Sequence, residues 1–247
     1  MKKVNLIPLA GAGQRFVNAG YSTPKPLIKI NGIPMVIRAA NSLPEADLWI
    51  FICRKQHIIK FNIQNILNDY FPNAIVLSVD DLTDGQVNTC LLARDYINND
   101  DQLTIGACDN NMNYAKENYH NEIKDYDGLV WTFRNNPAVI EDPSMYGWVN
   151  VNDKGLAKSI SCKNPLSNNP MNDYAISGTF SFQKAKYFFQ SAENIIKKDL
   201  RINNEFYIDI LIDNCIQNGL NIKSFEIKSY TCWGTPSEVE NYLKNQN

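Results

Sequence analysis

The chain has 247 residues, 44% of them hydrophobic, and its 24 basic and 26 acidic side chains leave a formal net charge of −2. That length and apolar fraction suffice for one substantial core, while the dispersed Lys and Arg residues leave no electrostatic footprint for nucleic acid. No apolar run reaches membrane-spanning length and no secretory h-region follows Lys2-Lys3, so a cytoplasmic protein without membrane contact is expected.

In chain order, apolar runs of strand length at 6–9, 48–53, 74–79 and 103–108 alternate with segments of helical spacing at 35–43, 58–71 and 88–97. Such alternation predicts a mostly parallel sheet flanked by helices, with ligands gathering beyond the carboxyl ends of the strands. From Gly128 the texture changes. Short β-rich runs at 128–134, 146–151, 157–162 and 174–182, with turns such as Asn152-Asp153-Lys154-Gly155 between them, predict antiparallel or mixed additions. Helices are expected at 185–198 and 205–217, the second closed by Asn218-Gly219, followed by a strand at 222–227. Thr235 reads as the N-cap of a last short helix, with Pro236 in its first position and Glu238 three residues on. The expected fold class is α/β, a mixed, mostly parallel central sheet of Rossmann-like order, in a single domain covering 1–247. The cysteines at 53, 90, 108, 162, 215 and 232 form no C-x-x-C pair and read as free thiols rather than disulfides or structural zinc.

The most informative segment comes first. A strand ending at Leu9 runs into Ala10-Gly11-Ala12-Gly13-Gln14-Arg15, and Pro24-Lys25-Pro26 follows shortly after. Small residues let backbone N–H groups approach phosphate oxygens, and Arg15 and Lys25 add full positive charges. Two prolines restrict the backbone around Lys25 and reduce the entropy lost when it grips an anion. Neither the P-loop pattern nor the dinucleotide fingerprint is present.

The stretch PLAGAGQRFVNAGYSTPKPLIKINGIPM resembles the N-terminal signature of the nucleoside-triphosphate transferases that make nucleotide-activated sugars. Further blocks resemble that family in the same order: Phe51-Ile52-Cys53-Arg54 with His57, the run from Asp84 to Ala93, Cys108-Asp109-Asn110, Ser177-Gly178-Thr179-Phe180, Asn204-Glu205-Phe206-Tyr207-Ile208 and Trp233-Gly234-Thr235-Pro236. The resemblance spans nearly the whole chain and is strongest to the capsule-biosynthesis branch. It implies the nucleotide-diphospho-sugar transferase fold, with 1–127 mainly binding nucleotide and 128–247 mainly binding acceptor. It also implies Mg²⁺-assisted transfer of a nucleoside monophosphate, CMP from CTP by similarity to that branch, to a phosphorylated small molecule with release of pyrophosphate.

By the same resemblance, Arg15 would hold the β- and γ-phosphates and Lys25 would lie near the α-phosphate. The backbone from Leu9 through Ala10, Gly11, Ala12 and Gly13 would face the ribose and triphosphate, and Gln86 the base. Asp109 would ligate Mg²⁺, while Lys163, Gly178 and Glu205 would serve the acceptor. The residues agree in part on their own terms. Asp109, after an apolar strand, offers one hard oxygen ligand; Gln86 can donate and accept but does not decide between cytosine and uracil. As alternatives, Asp109 reads as a turn residue, Gln86 and Lys163 as solvent-facing, and Glu205 as a first-turn helix acid. Tyr146 and Trp148 read as core rather than a sugar platform, and His57 and His120 as structural or exposed.

Two departures bear on the acceptor and the metal. Relatives carry an aspartate where this chain has Cys232, and a thiol is a poor Mg²⁺ ligand. A second carboxylate would then come from Asp80, Asp81 or Asp84, or one ion would bridge the triphosphate with waters. The family's Glu-Lys pair appears as Cys162-Lys163, and an Asn-rich stretch follows at 164–172. That pattern sets L-glutamine phosphate, the acceptor of a capsular-phosphoramidate cytidylyltransferase, beside a sugar 1-phosphate used with UTP or another nucleotide. A non-catalytic nucleotide-binding relative is a third reading, opposed by the presence of both Arg15 and Lys25. A glycosyltransferase is opposed by Cys108-Asp109-Asn110-Asn111 in place of Asp-x-Asp. Homo-oligomer formation is left open.

Overall fold

The computed structural model describes residues 1–245. Its first part comprises β1 (Lys3–Leu9), α1 (Gln14–Asn18), β2 (Lys29–Ile30), β3 (Ile33–Pro34), α2 (Met35–Asn41), β4 (Leu48–Arg54), α3 (Lys55–Phe61), α4 (Ile63–Tyr70), β5 (Ile75–Val79), α5 (Gln86–Leu91) and β6 (Gln102–Ile105). There follow β7 (Asn110–Asn113), α6 (Lys116–Asp125), β8 (Gly128–Phe133), α7 (Ala138–Glu141), β9 (Gly147–Val151), β10 (Ala157–Cys162), β11 (Tyr174–Phe182) and α8 (Ala185–Lys197). The chain closes with α9 (Ile208–Gln217), β12 (Ile222–Glu226), β13 (Ser229–Cys232) and α10 (Pro236–Lys244).

The apolar runs become strands covered on both faces. β1 lies between β4 and β6, parallel to each, and β5 extends the parallel set beyond β4. Successive strand residues point to opposite faces, and the core divides accordingly. Leu6, Ile50 and Ile52 pack with Cys90 of α5, Phe188 of α8 and Leu211 of α9. Ile7, Phe51 and Cys53 pack on the other side with Val36 of α2, Leu67 of α4 and Tyr119 of α6.

The second part joins this parallel set through β11, which runs antiparallel to β6, β8 and β9. β10 pairs antiparallel with β9 at one edge, and β12 lies parallel to β8. The result is a nine-stranded mixed sheet with flanking helices, the α/β class expected. Among the described residues, no helix is long and apolar enough to cross a membrane.

The structure departs from the sequence reading at several boundaries. The helix expected at 58–71 is two helices, broken where Asn62 takes a left-handed φ of 52°. The helix expected from 205 starts at Ile208, so Glu205 is not a first-turn helix acid. The strand expected to run to 108 ends at Ile105, which places Asp109 in the link to β7. The ribbon of β7 and β13 was not anticipated; it sets Cys232 opposite Asn110 through pairing remote in sequence.

Candidate active site

At the carboxyl ends of β1, β4, β5 and β6 lies a cavity of about 660 Å³, within the range of small-molecule sites. Leu9, Ala10, Gly11, Ala12 and Gly13 form one wall. Gly13 is left-handed at φ 63°, a conformation glycine adopts without a Cβ penalty, and it caps the short helix α1. A Cβ there would lie 3.4 Å from the Lys25 Cβ, so the loop and Lys25 are packed together.

Lys25 opens a single 3₁₀ turn between Pro24 and Pro26, and its ammonium donates to Oδ2 of Asp109 in a direct ion pair. Burial works against the charge, but the Asp109 carboxylate outweighs it and raises the Lys25 pKa, so the ammonium is retained. Asp109 is further fixed by its backbone, whose carbonyl accepts the Trp233 N–H at 2.7 Å. Burial, with Asp109 beside it, pushes the Cys108 thiol up to about 12, and burial likewise raises Cys232. Neither cysteine is therefore a thiolate nucleophile at neutral pH.

The surroundings of Asp109 bear on a metal. A Cβ built on Gly234 would meet Cys232 Sγ at 3.3 Å, Asp109 Oδ2 at 3.5 Å and Glu238 Oε2 at 3.5 Å, so these groups share one small volume. Glu238 accepts from the Thr235 N–H at 2.8 Å and from its hydroxyl at 2.9 Å, completing the capping box of α10. Asp80 instead pairs with Lys55 at 2.8 Å, and neither it nor Asp81 nor Asp84 lines the cavity. Among the described residues, no three His, Cys, Asp or Glu side chains form a ready metal cage. One hard carboxylate beside a loop of small residues and an ammonium has the chemistry to fit Mg²⁺, which takes one or two carboxylates and fills its shell with phosphate oxygens and water.

The opposite wall comes from the second part of the chain. Asn203 and Asn204 both adopt left-handed φ, 51° and 63°, and close a tight turn in which Ile202 and Glu205 exchange backbone hydrogen bonds of 3.1 and 3.0 Å. Phe206 then clasps the loop before α5: its N–H donates to the Asp84 carbonyl at 2.8 Å, and its carbonyl accepts the Val87 N–H at 3.1 Å. Gly85, at φ 111°, passes so close that a Cβ would lie 2.6 Å from Phe206 N. This clasp brings Glu205 into the same cavity as Gly85 and Gln86.

Lys25, Asp109, Gln86, Gly178 and Glu205 thus line one cavity, whereas Arg15 and Lys163 do not. Arg15 is exposed and its guanidinium lies 3.7 Å from the Met145 Sδ. Lys163, left-handed at φ 66°, stands 4.9 Å from the Tyr207 ring. The Tyr207 hydroxyl faces both Lys163 and Glu205, which ties Lys163 to the cavity indirectly. Behind Lys163, burial raises the Asp209 carboxyl to about 6, with the Cys162 thiol and Lys163 drawing it back down. Tyr146 and Trp148 are core, 6% and 0% exposed.

The sequence reading did not single out Arg54, which lines the cavity, or Glu238, Tyr207 and Asp209, which stand behind its lining residues. Arg54 and Tyr207 stand inside blocks that carry the resemblance, and Glu238 was legible only as a cap. Asp209 had one signal, a carboxylate near the start of a helical run that is apolar up to Asp213.

A family profile described as "Nucleotidyl transferase" matches residues 4–227. The chain belongs to the nucleotidyl transferase family. Membership carries the reaction class, nucleotidyl transfer. The fold is similar to that of the nucleoside-diphosphate-sugar pyrophosphorylase from Vibrio cholerae RC9, at 20% identity and TM-score 0.79 over 97% of this chain and 99% of that one. A putative glucose-1-phosphate thymidylyltransferase from Bacillus anthracis gives 19% identity and TM-score 0.77 over 98% and 94%. The inositol-1-phosphate CTP transferase from T. maritima gives 15% and 0.76 over 98% and 95%. No curated protein matches the chain.

Proposed function

We propose that this nucleotidyl transferase moves CMP from CTP to a phosphorylated small molecule in surface-polysaccharide synthesis, releasing pyrophosphate. The single observation that carries the transfer chemistry is the meeting of Lys25 and Asp109 beside the Ala10–Gly13 loop, at the ends of neighbouring parallel strands. An anion-binding cation and a hard metal ligand side by side suit a triphosphate better than any neutral substrate.

The reaction is an in-line displacement. An acceptor phosphate oxygen forms a bond to the α-phosphorus as the bond to the β-phosphate oxygen breaks, and pyrophosphate leaves with that electron pair. The protein's task is to hold two anions in line and to stabilise the developing charge. Lys25 neutralises the α-phosphate, and the loop N–H groups hold the phosphates and ribose. Asp109 would hold Mg²⁺, which supplies further positive charge to the triphosphate. Lys163, through its place beside Tyr207 and Glu205, attracts the acceptor phosphate. Residues 1–127 serve mainly the nucleotide and 128–247 mainly the acceptor, with the Phe206 clasp between them.

The acceptor reading favours L-glutamine phosphate over a hexose 1-phosphate. Cys162 replaces the glutamate that would accompany Lys163, so contacts to a sugar ring are fewer on that side while the phosphate contact is kept. Assays of pyrophosphate release with four nucleoside triphosphates, each against phosphorylated amino acids and sugar 1-phosphates, test this. Turnover with CTP and a phosphorylated amino acid supports it; turnover only with UTP and a hexose 1-phosphate replaces it.

A further inference from the structure

The strand order places a basic side chain where a nucleobase would lie. Across the sheet the order β6-β1-β4-β5 sets Asp109 beyond β6, the glycine loop after β1, Arg54 at the end of β4 and Gly85 beyond β5. Adjacent strands are about 4.8 Å apart, so Arg54 stands two spacings, roughly 10 Å, from the Asp109 side. A nucleotide with its α-phosphate at Lys25 and its ribose over the glycine loop therefore lays its base across the ends of β4 and β5.

Arg54, Gln56, His57 and Thr83 line the cavity there. Arg54 is half-buried, and with the Gln56 amide oxygen turned toward it the guanidinium is held at 2.8 to 3.1 Å. Among the described residues it makes no salt bridge, so its charge is not spent on a carboxylate. His57 is 7% exposed, and its Nδ1, which has no hydrogen-bond partner, is sealed within the protein. Burial, and then the Arg54 charge, lower the His57 pKa, which keeps the ring beneath Arg54 neutral.

We infer that Arg54 is a specificity-determining residue that selects cytosine over uracil. A guanidinium only donates. Cytosine presents O2 and N3 as adjacent acceptors, to which the two N–H groups of a guanidinium fork can donate. Uracil carries N3–H at the middle of the same edge, which sets donor against donor and leaves a buried polar group unpaired. The inference rests on the nucleotidyl-transfer reading and names the nucleotide from a residue of this chain.

Equilibrium titration with CMP and UMP, without metal or acceptor, tests it on the wild type, Arg54→Met and Arg54→Lys, with thermal melts as a folding control. The wild type should favour CMP by about tenfold or more, the scale on which a lost donor–acceptor match is felt. Arg54→Met should lose most of that ratio through weaker CMP binding, and Arg54→Lys, which keeps the charge but loses the planar donor fork, should fall between. If Arg54→Met fails to fold, the Lys variant carries the comparison. An unchanged CMP:UMP ratio in the folded variants, or an equal loss for both nucleotides, as a phosphate contact would give, overturns the inference. So does a wild type that favours UMP, although nucleotidyl transfer survives that result. A wild type that binds neither nucleotide overturns the functional reading itself.

Discussion

Lys25 and Asp109, separated by 84 positions in the chain, are joined in a direct ion pair inside the cavity. The pair exists because β1 and β6 are parallel neighbours and the segments that follow them leave the sheet at the same end. Replacing Lys25 by Met should lower turnover by roughly 10²-fold, the scale of a lost electrostatic contact to a transition state. It should also lower the melting temperature, because Asp109 loses its partner. Arg15→Met gives the comparison. Its guanidinium rests on Met145 outside the cavity, so an equal loss would mean that it swings onto the triphosphate when nucleotide binds. A Lys25 variant that loses stability but keeps full kcat would assign the pair a structural role only.

If Lys163 serves the acceptor as proposed, Lys163→Ala should raise the acceptor KM while leaving nucleotide affinity nearly unchanged; it stands outside the cavity lining, 4.9 Å from the ring of Tyr207, whose hydroxyl also faces Glu205. Separate titrations with nucleotide and with acceptor decide it. Weakened nucleotide binding with unaltered acceptor kinetics would move Lys163 to the other half of the site.

The clasp between the loop before α5 and the Glu205 turn has a weak point at Gly85. An alanine there must accept a φ of 111° and place its Cβ 2.6 Å from Phe206 N and 2.8 Å from its carbonyl oxygen. Gly85→Ala should therefore destabilise the fold by roughly 2 to 4 kcal/mol and raise KM for nucleotide and acceptor together. Thermal melts and paired kinetics check it; a variant with wild-type melting temperature and kinetics would mean that the two loops are not held as one unit.

Asp209 predicts a pH effect of defined sign. Burial lifts its carboxyl from 3.8 to about 6, so the folded chain holds this proton more tightly than the unfolded chain does. The stability it contributes is fully present below about pH 4 and is lost as pH rises through about 6. Asp209→Asn, which does not ionise, should flatten that part of the curve of melting temperature against pH. Equal slopes in the two proteins between pH 4 and 7 would contradict the assignment.

How far the sequence carried can be judged element by element. The boundaries of β10 and β11 and the Thr235–Glu238 capping box were legible because strand alternation and capping chemistry are local. The break at Asn62 was not, since an asparagine inside an apolar periodic run does not announce a left-handed residue. The β7–β13 ribbon and the Phe206 clasp join segments remote in sequence, and no local pattern records such a pairing. The same limit explains the site. The glycine loop, Lys25 and Asp109 stand in recognisable blocks, whereas the closeness of Glu238 to Asp109 arises only once α10 folds back over Gly234.

The most direct measurement follows pyrophosphate release from CTP in the presence of Mg²⁺ and a phosphorylated acceptor, comparing wild type with Asp109→Ala. Release should require the acceptor, match nucleotidylated product one for one, and disappear in the variant, whose melting curve should show an intact fold. Release without acceptor, or undiminished turnover in Asp109→Ala at limiting Mg²⁺, would rule out metal-assisted nucleotidyl transfer at Asp109.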